Sequence, residues 1–327
     1  MRACILTPDG GGVIDPPVHS LLKQWPNLTD SHREADVVLV PITKLDDYHF
    51  NHELCDLKKP WVLVDYVENG WNWDQQETMM FGKNTEKFFG DAYHGEWHRF
   101  DQFVQESPPV AVFKRELLEK DRKEGLYPIE YTHWLPEYGL DTQEEFAKRP
   151  LELINTWGRS HEARMWFHGS IFTQAPSLGY GVISQFDHID KEPKDGKKWA
   201  SIHVPWYARI DVREVQKFNR QSKVIATLPG CGYKTFRHGE SCLDGIMAMP
   251  WNRLAWSYPW TPSNSIIVPE FEGTTSGEHA CATIHHVLKK DPELTYDLYC
   301  RAIQNGQNYR YDTYLRRWVF ANIARHV

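Results

Sequence analysis

The chain has 327 residues, long enough for two domains of ordinary size. Hydrophobic residues make up 41% and charged residues 25%, a balance that allows a sizeable core and excludes wholesale disorder. Acids outnumber Lys and Arg 44 to 37, for a net charge of −7, which excludes a whole-surface nucleic-acid binder and leaves room only for a local basic groove.

In chain order, the opening MRACILTPDGGG lacks a secretory pattern, because its apolar run is short and Pro8 and Asp9 follow at once. No stretch approaches the ~20 apolar residues of a membrane helix, so a cytoplasmic chain with no membrane span is expected. Residues 3–6 read as a short strand, followed by the loop Pro8–Gly12. A helix is predicted over 18–25, a strand over 36–40, a helix over 46–57, a strand over 61–64 and another over 110–113. Residues 69–107 form an irregular, aromatic-rich insertion. The run 114–124 mixes Lys114, Arg115, Lys120, Arg122 and Lys123 with Glu116, Glu119, Asp121 and Glu124, the pattern of a solvated helix face. Prolines and glycines over 125–150 mark the crossing to a second domain.

There the alternation restarts. Strands are predicted over 151–155, 200–204, 224–228 and 265–268, and helices over 162–171, 211–219 (with Asp211 as cap) and 278–289. Strands alternating with helices in two successive units predict an α/β protein with two parallel sheets. The tail 309–327 is a helix with Tyr311, Tyr314, Leu315, Trp318, Val319 and Ile323 on one stripe, packing back on one or both domains. The six cysteines (Cys4, Cys55, Cys231, Cys242, Cys281 and Cys300) form no CxxC pair and read as mostly buried thiols of a reducing compartment.

The stretch from Ser222 to Met249, SKVIATLPGCGYKTFRHGESCLDGIMAM, carries the most chemistry. It reads as a buried strand, a turn holding Gly230 and Gly232, and a helix opening with Arg237, His238 and Glu240. In an open α/β sheet, ligands bind beyond the carboxyl ends of the strands. There Arg237 can fork onto phosphate oxygens, and Glu240, one turn on, can accept from two ribose hydroxyls. Lys234 is a second phosphate candidate, and Arg159, in the turn WGRS after the strand 151–155, a third.

The loop PDGGG occupies the corresponding place in the first domain, and Gly10 and Gly11 suit close backbone approach to a ligand. Asp9, Asp65 and Glu68 lie at strand ends there and are the candidate general bases, with His94 and His98 behind them. Trp71 and Trp73 are the candidate stacking platforms for an acceptor. No Walker loop, GxSxG elbow, HExxH, CxxC pair or Asp-x-Asp clamp is present, and no metal site is expected, the histidines of 278–289 included. The absence of GxGxxG weakens a dehydrogenase reading.

The run SKVIATLPGCGYKTFRHGESCLDGIMA resembles the exostosin-like glycosyltransferases and related two-domain enzymes of GT-B fold, with support from ADVVLVP at 35–41, KPWVLVDY at 59–66 and the Arg159 turn. The resemblance covers about half the chain, with its sharpest part under 30 residues. It implies two Rossmann-like domains facing a cleft: residues 1–145 for the acceptor, 146–305 for a nucleotide sugar, and a C-terminal helix over 306–327. In that family Arg237 and Glu240 would hold the donor diphosphate and ribose.

The expected activity is sugar transfer to a glycan hydroxyl or a hydroxymethylated DNA base. The donor nucleoside-diphosphate sugar is then a co-substrate, and no cofactor is expected. Transfer without metal and with inversion is the reading of the base-and-cation layout, in a bacterial or viral setting. A non-catalytic two-lobed ligand-binding protein is the rival.

Overall fold

The computed structural model describes residues 1–5, 25–41, 59–65, 107–133, 139–158, 162–183, 196–204, 211–228, 234–250, 254–268 and 274–327. The chain divides into two compact units. The first comprises 1–130, 253–257 and 311–327, and the second 131–252 and 258–310.

The first unit is built on a five-stranded parallel sheet in sequential order: β1 (Ala3–Ile5), β2 (Val37–Pro41), β3 (Trp61–Asp65), β4 (Ala111–Lys114) and β5 (Leu126–Pro128). The sequence of β2 and β3 explains their place. VVLV and WVLV are continuous apolar runs without alternation, the pattern of strands covered on both faces, and they are buried throughout. β5 has only one apolar residue before Tyr127 and Pro128, too short to stand out in the sequence; it joins the sheet through β4.

The charged run after β4 is not the solvated helix face its alternating charges suggest. Lys114, Arg115 and Glu116 are buried at the end of β4, and only a short 3-10 turn, Glu119–Asp121, follows. The tail, by contrast, is helical as its stripe predicts. It runs as α-helix (Tyr311–Tyr314), π-helix (Leu315–Phe320) and α-helix again (Ala321–Ile323), with Tyr314, Leu315, Val319 and Ile323 buried within the first unit. The Trp318 indole N–H donates to the Pro128 carbonyl at 2.8 Å, and the Trp25 and Phe320 rings meet at 4.9 Å.

The second unit holds a six-stranded parallel sheet in the order β11-β10-β9-β6-β8-β7. Its strands are β6 (Leu151–Gly158), β7 (Gly181–Ile183), β8 (Lys197–Val204), β9 (Ser222–Ala226), β10 (Ile246–Pro250) and β11 (Ile266–Val268). Its helices are α1 (Gln143–Ala147), α2 (Glu162–Ser177), α3 (Val212–Arg220), α4 (Phe236–Ser241), α5 (Thr274–Leu288) and α6 (Pro292–Gly306).

Local signals set several of these ends. Asp211 caps α3 by accepting from the Arg213 amide, and Thr142 and Glu145 form a capping box on α1. α6 starts with capping Asp291 and Pro292.

One predicted element is overturned here. The helix that opens at Arg237 does not run to Met249. α4 is six residues long, and Ile246–Pro250 is strand β10. The run IMAM reads as small residues of a helix, but Gly245 before it lets the backbone lie against the Lys223 carbonyl, and all of β10 is buried between β9 and β11.

The topology decides where a ligand can bind in this unit. From β6 the chain fills one side with β8 and β7 and then returns to fill the other with β9, β10 and β11. The strand order therefore reverses at the β6–β9 pair, and the connections diverge there to leave a crevice at the carboxyl ends.

Candidate functional site

Three cations and a carboxylate lie on the segments that follow β6 and β9 at that reversal. Lys234, after β9 and just before α4, is 1% exposed. Arg164, in the first turn of α2 after β6, is buried and donates to the carbonyl of Leu228, two residues past β9, at 3.4 Å. Both lie close enough to His238 on α4 that their charges disfavour its protonation. Arg237 and Glu240, one turn apart on α4, bond at 2.7 Å, with side chains 16% and 23% exposed. Burial pushes the Glu240 carboxyl up from its ordinary range, and the Arg237 guanidinium pulls it back.

Beneath them, His238 fixes the local backbone. The Thr235 amide donates to its Nδ1 at 3.1 Å, which completes a capping box on α4. Nδ1 is thus an acceptor, so the proton sits on Nε2. Burial holds the ring neutral, with its pKa lowered from 6.5 to about 4. Gly239 is required by close packing. A Cβ there would lie 3.0 Å from the Tyr131 carbonyl oxygen and 3.1 Å from that of Thr132. At the far end of α4, Gly306 packs against the Cys242 carbonyl, and Asn219 Nδ2 reaches Ser241 Oγ at 3.3 Å and Asp244 Oδ2 at 3.4 Å.

Of the predicted donor-site residues, Lys234, Arg237 and Glu240 are brought to this place. Arg159, Gly230 and Gly232 lie outside the described residues. Arg164 was not singled out from the sequence. A signal existed: an Arg in the first turn of a helix sits unfavourably in the helix dipole, as Arg237 does, and so calls for another reason to be there.

On the first unit, only Asp65 among the predicted acceptor-side residues is described; Asp9, Gly10, Gly11, Glu68, Trp71, Trp73, His94 and His98 lie outside the described residues. Asp65 does sit at the carboxyl end of β3, but it is buried, and its carboxylate is bonded to Lys114, its register partner on β4. Among the described residues no group of three or more His, Cys, Asp or Glu is placed to hold a metal ion, and no helix is long and apolar enough to cross a membrane. Of the described cysteines, Cys4, Cys242 and Cys281 are buried, Cys300 is half-buried, and all are free.

No protein-family model matches the chain, and no curated protein matches it in sequence. Solved structures do. HepE (Alr3699) of Anabaena, in complex with UDP, aligns with a TM-score of 0.50 and 9% identity over 94% of this chain and 81% of its own. The pneumococcal O-GlcNAc transferase GtfA, in complex with UDP and GlcNAc, aligns with a TM-score of 0.50 and 10% identity over 88% of this chain and 56% of its own. At such identities the likeness is one of fold: the chain has the two parallel-sheet units of the GT-B glycosyltransferases. The narrower likeness to the exostosin-like family finds no matching family model.

Proposed function

We propose that this protein is a glycosyltransferase that moves a sugar from a nucleoside-diphosphate sugar to an acceptor hydroxyl. The observation that carries the proposal is the placing of Arg164 and Lys234 at the strand-order reversal of the second unit, with the Arg237–Glu240 pair on the helix that follows Lys234. Cations placed there suit a diphosphate, and a carboxylate one turn away suits a ribose diol. The two solved structures of similar fold hold UDP, which supports a uridine donor as the first to try.

The chemistry follows from the charges. A general base takes the proton of the acceptor hydroxyl, and the acceptor oxygen attacks the anomeric carbon. The bond from that carbon to the diphosphate oxygen breaks, and the electron pair leaves with the nucleoside diphosphate. Fixed cations offset the charge that grows on the leaving group, the strongest form of transition-state stabilisation a preorganised site offers. Direct displacement inverts the anomeric centre, and this route uses the cations where other enzymes use a metal. Asp65 is already engaged with Lys114, so Asp9 is the first choice for the base.

A glycan is the favoured acceptor. The basic run that a DNA acceptor would need starts with Lys114 and Arg115, and both are buried rather than lining a groove.

The test is a thermal-shift panel of UDP, GDP, ADP, CMP, UDP-glucose, GDP-mannose and NAD. One diphosphate nucleotide and its sugar should raise the melting temperature, and Arg237→Gln should abolish that rise. A shift with NAD alone would overturn the reading. Release of the diphosphate from the sugar nucleotide then separates a transferase from a binding protein.

A further inference from the structure

The opposite edge of the second unit's sheet carries a second charged cluster that the transfer reaction does not use. Glu152 stands near the start of β6, flanked in register by Lys198 near the start of β8 and Lys223 near the start of β9. The three side chains therefore share one face at the amino ends of adjacent strands. Lys198 Nζ lies 3.7 Å from Glu152 Oε1. Lys289, just past α5, places its Nζ 5.4 Å over the Tyr180 ring, and burial together with the nearby Glu152 carboxylate pushes the Tyr180 hydroxyl pKa up. His285 Nδ1 meets the Tyr180 hydroxyl at 3.1 Å.

Charge makes this cluster unusual. Lys223 feels the repulsion of both Lys198 and Lys289, and burial with that repulsion holds its ammonium below its ordinary pKa. One carboxylate among three lysines, with the Asp141-paired Arg149 as a further neighbour, leaves an excess of positive charge in a chain whose net charge is −7. The second carboxylate oxygen, Glu152 Oε2, is buried and accepts no hydrogen bond. A ligand that relieves the excess positive charge carries two negative charges.

We propose that Lys198, Lys223 and Lys289 form an oxyanion site for a phosphate dianion. The site is separate from the Arg164–Lys234–Arg237 cluster, which stands at the carboxyl ends of the same strands, and it does not depend on the donor assignment. Lys198 is half-exposed, with a side chain 49% accessible, so such a ligand can enter from solvent.

The test is isothermal titration of the full chain with inorganic phosphate, and in parallel with phosphatidylcholine vesicles containing phosphatidic acid. Phosphate should bind saturably. Lys223→Gln and Lys198→Gln should each weaken binding about tenfold, the scale of one charged hydrogen bond. Lys148→Gln, at an exposed lysine outside both clusters, should leave this binding unchanged. Binding to the vesicles as well, lost in the same variants, would extend the ligand to a lipid headgroup; phosphate binding without vesicle binding would restrict it to a free phosphate. Phosphate affinity untouched by Lys198→Gln and Lys223→Gln together, or lost only in Lys234→Gln, would overturn the proposal. These lysines lie on the surface or partly so, and the circular dichroism of each variant should match that of the parent chain.

Discussion

Asp244→Asn should make the protein more stable at alkaline pH and leave it nearly unchanged at pH 4. Asp244 is fully buried in the turn between α4 and β10, with its Oδ1 lacking a hydrogen bond. Burial pushes its carboxyl from 3.8 up to about 7, against the pull of Asn219, Arg220, Gln216 and Arg149. The folded state thus keeps the proton up to about pH 7, while the unfolded chain releases it near 3.8. The resulting stability is fully present below pH 4 and is lost as pH rises through 7. At about 1.4 kcal/mol per pH unit for one proton, the loss reaches roughly 4 kcal/mol.

His238 works in the opposite direction. Its folded pKa is depressed from 6.5 to about 4, so the unfolded chain takes up a proton that the folded chain refuses. Stability from that source is lost as pH falls from 6.5 to 4, by roughly 3 kcal/mol on the same conversion. Between pH 4 and 6.5 the two slopes oppose each other and largely cancel. Asp244→Asn removes one slope, so the variant should lose stability on acidification, where the parent chain changes little. Hydrogen exchange of the β9 and β10 amides between pH 4.5 and 8.5 reads this locally, which matters because a two-unit chain need not unfold in one step. Parallel pH curves for the parent and the Asn variant would refute the reasoning.

Glu240→Ala should weaken binding of the nucleotide that answers in the thermal-shift panel by roughly 1.5–3 kcal/mol, the scale of charged hydrogen bonds, measured by titration; unchanged affinity in a folded variant would remove Glu240 from the ribose. Gly306→Ala should cost several kcal/mol in chemical denaturation, because its Cβ would overlap the Cys242 carbonyl oxygen, and a stable variant would mean that α6 can slide on α4. Glu130→Ala should destabilise the first unit by about 3 kcal/mol or more, since its carboxylate accepts from the Ser257 amide at 3.1 Å, the Ser257 hydroxyl and the Tyr314 hydroxyl at 2.6 Å. Asp65→Ala should cost roughly 3–5 kcal/mol, because it leaves the buried Lys114 without this carboxylate; full stability with turnover abolished would return Asp65 to the role of base.

Much of the fold was legible in the sequence because parallel strands buried on both faces announce themselves as apolar runs. VVLV, WVLV and LELIN could hardly be anything else, and each became a strand. Caps such as Asp211, and the 3.6-residue stripe of the tail, are likewise local and were visible. Arg237 and Glu240 could be paired from their spacing alone, because three residues is one helical turn.

Other features exist only through partners distant in the chain. IMAM is a strand because β9 and β11 flank it, not because its residues reject a helix. The alternating charges after β4 read as solvent-facing, yet Lys114 is buried because Asp65, forty-nine residues away, stands beside it in register. Arg164 joins Lys234 only because the strand order reverses between β6 and β9, and Glu152 meets Lys198 and Lys223 only because its neighbours are β8 and β9. Periodicity and capping are properties of a short segment, and a sequence states them directly. Charge that is buried or gathered depends on which segments the sheet sets side by side, and tertiary structure alone decides that.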